Sequence, residues 1–175
     1  MRRAVVAAAI LLLATLFGAC SVLDHSAAAP RFDKSAKWAL LPIVNHTETA
    51  QAGLRAEAVT EALLRARGVA DLAVYPPALN KDTLFEPAER KVQDEALKWA
   101  RGSGARYAVY GAVDEWRYKV GIDGEPAVGI TLHVMDLSSG AVAWSGAGAK
   151  TGWSREALSA VAQKVIRELL VAAQL

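Results

Sequence analysis

The 175 residues carry 20 Lys+Arg against 18 Asp+Glu, a formal charge of +2, with 53% hydrophobic residues and a single cysteine. Charges this balanced and interspersed exclude the basic footprint of a nucleic-acid binder, and one cysteine excludes an internal disulfide. The length suits one domain with a real core.

Met1-Arg2-Arg3 is a short positive start, and Ala4 to Phe17 is an apolar run too short to span a bilayer comfortably. Together they read as a signal peptide over residues 1–19. Phe17-Gly18-Ala19-Cys20 then resembles the lipobox of bacterial lipoproteins, with Phe17 where Leu is usual. The resemblance implies cleavage before Cys20 and lipid on its thiol and new amine. The plainer alternative is an ordinary signal cleaved near Ala19, which leaves a free or core cysteine. Ser21 in place of Asp implies sorting to the outer membrane, lipid-anchored on its periplasmic face. Cleavage would remove Arg2 and Arg3, leaving 18 basic and 18 acidic residues and no net charge. Acyl chains contribute about 0.8 kcal/mol per buried methylene, so two or three hold a protein on a membrane.

Residues 20–36 lack helical or strand periodicity, contain Pro30, and read as a lipid-anchored linker. The linker reaches about 55 Å extended and roughly 20–25 Å as a coil, a short leash. Alternatively, part of it packs on the domain with Phe32 as an anchor.

Residues 37–175 read as one α/β domain. Trp38 to Val44 is a short apolar run suited to a buried strand. A polar turn over Asn45–Thr49 supplies a threonine to cap the next helix. Leu54, Ala58, Val59, Ala62, Leu63 and Ala66 recur at helical spacing, and Gly68 closes that helix. Leu72 to Tyr75 is a brief strand stopped by Pro76-Pro77. Pro87 can open a helix whose stripe is Val92, Ala96, Trp99 and Ala100. The period then changes to two over Tyr107–Asp114 and Val128–Met135, and Ser138-Ser139-Gly140 turns into Val142-Ala143-Trp144. Ser154 is placed to cap a last helix along Leu158, Val161, Ala162, Val165 and Leu169. The predicted fold class is α/β (α+β): a single mixed, largely antiparallel sheet with helices packed on it, in the order β-α-β-α-β-β-β-α.

No HExxH, no Cys/His metal-ligand spacing, no GxSxG elbow and no phosphate-binding glycine loop occurs. The pattern supports no catalytic residue, no metal and no cofactor, and predicts no enzyme. Asp114, Glu115, Asp123 and Glu125 cluster in sequence; solvated strand-end charges are the plainer reading of them, against the carboxylate pair of a glycosidase. Among five tryptophans, Trp38 and Trp99 lie in core patterns. Trp153 stands between Gly152 and Ser154, where an exposed ring suits a membrane interface. Trp144 is a second membrane-facing candidate, set against a role at the sheet's edge or in a subunit contact.

WALLPIVNHTETAQAGLRAEAVTEALL resembles the opening strand, polar loop and helix of periplasmic lipoprotein domains of the CsgG, LpoB and TolB amino-terminal group. ARGSGARYAVYGAVDEW resembles their helix-end-to-strand signature. The small size, short tether and Gly152-Trp153 most resemble the PelC-like outer-membrane lipoproteins of Pel exopolysaccharide export. That resemblance implies palmitate-type lipidation at Cys20, a homo-oligomeric ring of twelve subunits, a PelB-like β-barrel partner and a cationic polysaccharide of the biofilm matrix. It also implies an aromatic belt toward the membrane, matched by Trp153 and Trp144. The implied acidic, polymer-facing surface has Asp114, Glu115, Asp123 and Glu125 as candidates. An LpoB-like activator of cell-wall synthesis and a CsgG-like secretion component are the alternatives. The first needs a longer tether, and the second needs inserts of about 9–11 residues per membrane crossing.

Overall fold

A computed structural model describes residues 21–26, 28–76, 87–121 and 124–175. In chain order these form β1 (Ser21–His25), β2 (Trp38–Asn45), α1 (Ala52–Ala66), β3 (Leu72–Val74), α2 (Pro87–Gly102), β4 (Tyr107–Tyr118), β5 (Pro126–Asp136), β6 (Ala141–Thr151) and α3 (Leu158–Ala172). The strands build one six-stranded sheet, ordered β1-β6-β5-β4-β2-β3. β2 runs parallel to β3 and β4; the other pairings are antiparallel. The fold is the mixed, largely antiparallel α+β sheet expected, with one strand more than the sequence pattern shows.

That strand corrects the reading of residues 20–36 as linker throughout. Ser21–His25 pairs antiparallel with β6, from Ser21 opposite Lys150 to His25 opposite Gly146. Further on, Phe32 is buried edge-on against Trp38 and Tyr107, at centroid distances of 5.6 and 5.3 Å. The alternative in which the segment packs on the domain is therefore the one the chain adopts.

The main core lies between the sheet and the helices α1 and α3. β4 contributes Val109, Val113 and Trp116, and β5 contributes Val128, Ile130, Leu132 and Val134. α3 presents Val161, Ala162, Val165, Ile166, Leu169 and Leu170. A smaller cluster on the opposite face joins α2, through Ala96 and Ala100, to Ala39, Leu41 and Ala108. Every large alternating residue of β4 and β5 thus has a place, as the period of two requires.

α1 packs by a face rotated from the one its apolar spacing suggests: Val59 and Leu63 do pack against the core, but Leu54, Ala58, Ala62 and Ala66 are exposed. Ala52, Gly53, Ala56, Glu57, Thr60 and Leu64 turn inward, while Leu54 is 41% exposed. The cause lies in β2. Pro42 cannot donate to the ladder, and the pairing with β4 shifts register between Leu40 and Ile43. The Ile43 N–H leaves the ladder there and donates instead to Glu57 Oε1 at 2.9 Å. Small residues on α1 allow the approach that this bond needs. The helix has no side-chain cap: Gln51 occupies the capping position, and the Thr49 hydroxyl donates to the Trp116 carbonyl. Likewise, Ser154 does not cap α3, which starts after Ala157.

Burial pushes the Glu57 carboxyl above its ordinary value of 4.5, against the weaker pull of the Ile43 N–H. Above pH 4.5 the native state therefore keeps a proton that the unfolded chain has released. Stability contributed this way is full below the unfolded value and is lost as pH rises through the folded one. Glu57→Gln keeps an acceptor for Ile43 and removes the titration, so its urea midpoints should fall less with pH across that window. Glu57→Leu should lose about 1–3 kcal/mol by stranding the N–H. Equal pH profiles for wild type and Glu57→Gln would refute this account.

Candidate functional site

One end of the sheet gathers the features that matter. The parallel strands β2, β4 and β6 finish there, and β1, β5, α1 and α3 begin there. Ser21, the residue after Cys20, pairs with Lys150 at this end, and Ala127 pairs with Thr151. The chain then leaves β6 through Gly152, whose N–H donates to the Pro126 carbonyl at 2.8 Å. Trp153 comes next, 61% exposed, on a turn closed by the Glu156 N–H donating to its carbonyl at 2.8 Å. Lys164 bonds the Glu156 carboxylate, and this bond holds the carboxyl below its ordinary range. Glu156 Oε2 also accepts from the Trp153 N–H at 3.3 Å. A rigid turn therefore projects the indole.

The β4–β5 hairpin adds two apolar side chains beside it. Tyr118 is 52% exposed and Val120 fully exposed. Tyr118 pairs with Pro126, one residue from the strand position opposite Thr151. Its hydroxyl accepts the Leu158 N–H at 3.3 Å, helping the uncapped start of α3. Arg117, Lys119 and Arg155 are exposed next to these residues in the chain, Arg117 paired with Glu115. Exposed aromatic rings fit the headgroup layer of a bilayer. Sequence reasoning does not find Tyr118 and Val120; only the hairpin register brings Tyr118 to Trp153.

Trp144 does not belong to this set. It is 1% exposed, lying over Gly146, where an added Cβ would fall 2.4 Å from the ring. Its indole N–H is buried without a hydrogen-bond acceptor among the described residues. The assignment of Trp144 as membrane-facing is therefore corrected: it fills the space that the small residues of β6 leave beneath α3. Cys20 and the signal segment 1–19 lie outside the described residues, as does Asp123.

The remaining acidic candidates do not form one patch. Asp114, at the β4 bulge, accepts from Thr131 Oγ1 at 2.8 Å and lies 3.3 Å from His46 Nδ1. Glu115 pairs with Arg117 at 2.9 Å. Glu125 sits beside Pro126, at the same end as Trp153. Nearby, His133 bonds Ser145 Oγ at 2.8 Å and stacks at 5.0 Å on Tyr110. Burial lowers its pKa from 6.5 and keeps it neutral at pH 7. Among the described residues no cluster can hold a metal ion, and no helix is long and apolar enough to cross a membrane.

No protein-family model and no curated protein matches the sequence. Solved structures do. The chain is 41% identical to a PelC dodecamer from Paraburkholderia phytofirmans, with 89% of this chain and 98% of that one covered and a TM-score of 0.74. A leucine-to-methionine variant of the same PelC, also a dodecamer, aligns at 41% identity over 86% and 96% of the chains, with a TM-score of 0.73. Lipoprotein GNA1162 from Neisseria meningitidis shares the fold at 18% identity over 79% and 98%, with a TM-score of 0.55. Identity at this level, sustained over nearly the whole length of the solved protein, leaves one conclusion: the chain belongs to the PelC family.

Proposed function

We propose that this protein is an outer-membrane lipoprotein that assembles into a periplasmic ring and assists export of a cationic exopolysaccharide through a PelB-like β-barrel partner. Its role is structural and not catalytic. The observation that carries the reading is a convergence. The residue after Cys20 enters the sheet at the end where Trp153, Tyr118 and Val120 are exposed. Lipid on Cys20 would bring that end to the bilayer, where the exposed rings match the interface. The dodecameric relatives at 41% identity support the ring. Asp114, Glu115, Asp123 and Glu125 are the acidic candidates for the polymer-facing surface on this reading.

Replacing Cys20 with Ser should leave an unprocessed or mislocalised protein, absent from the outer-membrane fraction. An unmodified Ala or Ser as the mature amino terminus would overturn the lipidation. For the belt, the lipidated protein should show a blue shift of tryptophan emission on vesicles of phosphatidylethanolamine and phosphatidylglycerol. The shift should vanish in Trp153→Ala, and polymer export should fall with it. Emission that does not respond to vesicles in the wild type would remove Trp153 from the membrane.

A further inference from the structure

β1 is an edge strand, and among the described residues β6 is its one strand neighbour. All 5 of its residues are exposed. Leu23 lies over Gly148, beside Val165 and Leu169 of α3, and is still 39% exposed. The stretch of β6 opposite β1 from Gly146 to Ala149 is glycine and alanine alone, so few side-chain contacts add to the ladder. Ser26 clasps the end of the strand away from Cys20. Its N–H and its hydroxyl donate to the Ser145 carbonyl at 2.8 and 3.2 Å, and its Oγ accepts the Ser145 N–H at 3.1 Å. Phe32 is held in another way, buried against Trp38 and Tyr107. Between the two attachments, Ala28, Pro30 and Arg31 are exposed. The segment therefore has a firm root at Phe32 and a strand before it that a ladder and one serine hold. An edge strand with so little burial belongs to the part of a domain that opens at least cost.

Chemistry at Cys20 needs that opening. Maturation hydrolyses the bond between Ala19 and Cys20: water adds across it, leaving a carboxylate on Ala19 and an amine on Cys20. A peptidase grips its substrate as an extended chain, through main-chain bonds on both sides of the cut. The N–H and C=O groups of Ser21 and the residues after it cannot serve the enzyme while they serve β6. Bulk adds to the conflict. Trp153 and Tyr118 are exposed at the end of the sheet where Ser21 pairs, so a closed domain stands where the enzyme must be. With β1 released and Phe32 still rooted, residues 21–31 reach about 35–40 Å when extended, enough to set the domain aside.

We infer that β1 is a detachable strap: it is an open tether while Cys20 is processed, then zips onto β6 under the Ser26 clasp and draws the domain down to the bilayer. The inference rests on the proposed lipidation and adds to it the order of events, with cleavage before docking of the strand.

A removable lock tests it in the full chain. Asp24 and Ala147 are exposed and directly opposite in the ladder, so Asp24→Cys with Ala147→Cys can bridge β1 to β6. Precursor is accumulated in membranes under a lipoprotein-peptidase inhibitor, oxidised, and then freed of the inhibitor. Mass spectrometry follows loss of residues 1–19 and the lipid on Cys20. Wild type should mature. A wild-type chain that keeps the segment, or loses it without carrying lipid, would overturn the lipidation and the strap with it. The bridged double variant should mature about tenfold more slowly or not at all, because the bridge removes the open fraction that the enzyme can use. Dithiothreitol should restore the wild-type rate. Cysteines that bridge in the mature protein but not in the precursor would support the same order of events. A bridged chain that matures at the wild-type rate would overturn the strap and leave the lipidation standing. So would hydrogen exchange in the mature protein that protects the amides of β1 as well as those of β4 and β5, since a strap must open far more often than the centre of the sheet.

Discussion

Trp144→Ala should cost about 3–5 kcal/mol of folding stability, whereas Trp153→Ala should stay within about 0.5–1 kcal/mol of wild type. The two tryptophans are nine residues apart and sit in opposite surroundings. Trp144 is 1% exposed against Gly146 and the α3 core, and removing its ring leaves a cavity that α3 cannot easily collapse into. Trp153 is 61% exposed on its turn. In a chain of this length the first change should lower Tm by roughly 6–20 °C. Trp144→Phe should recover much of the loss. It restores most of the volume and removes an indole N–H that is buried without an acceptor among the described residues. Thermal melts of the three variants check this. A large loss in Trp153→Ala would make that residue part of the core and remove the main support for a membrane-facing belt.

The second large effect is expected at Gly53. A Cβ there would stand 2.1 Å from the Ile43 carbonyl oxygen, a backbone atom that no rotamer change can move. Alanine must lift α1 from β2, which also stretches the bond from the Ile43 N–H to Glu57. Overpacking of this kind costs about 1–3 kcal/mol, and the fixed backbone places Gly53→Ala at the upper end or beyond. Gly102→Ala is the matched control. It ends α2 with nothing within 4 Å of an added Cβ, so the change should be neutral or stabilise by up to about 1 kcal/mol. Similar urea midpoints for the two variants would show that α1 does not depend on the close approach.

These two sites also show where the sequence is legible and where it is not. The alternation in Tyr107–Asp114 and Val128–Met135 predicts β4 and β5 because one face is apolar and the other is not, and the structure only extends their ends. For β6 the pattern stops at Trp144, since Gly and Ala favour no strand by themselves. The strand runs on to Thr151 because α3 and Leu23 pack against the small residues. β1 escapes the sequence for a related reason. Ser21–His25 has no period of its own and is exposed along its length, and only its ladder with β6 makes it a strand. Helical spacing places Val59 and Leu63 of α1 against the core correctly but turns Leu54, Ala58 and Ala62 inward when they are exposed, because it reports only which residues are apolar. It does not report that a proline bulge on β2 demands small neighbours and one buried carboxylate. At the candidate site, Gly152-Trp153 in a polar stretch is enough to mark an exposed ring. Tyr118 depends on a hairpin register that spans the sheet, and the same register carries Glu125 to the Trp153 end.

The pairing of Ser21 with Lys150 has a consequence for how copies meet. A domain on a loose tether samples every orientation above the bilayer, and docking must then give up that rotational freedom as well as translation. Here, with lipid on Cys20 as proposed, the anchor is joined directly to the first residue of a hydrogen-bonded strand. Most tumbling is then already lost before two subunits touch. Association becomes a search in a plane among molecules that share one vertical axis and one depth, so much of the usual entropic penalty of about 4–15 kcal/mol is met in advance by the anchor. A subunit contact too weak to persist in dilute solution can therefore close a ring at the membrane, and assembly should depend on surface density more than on bulk concentration.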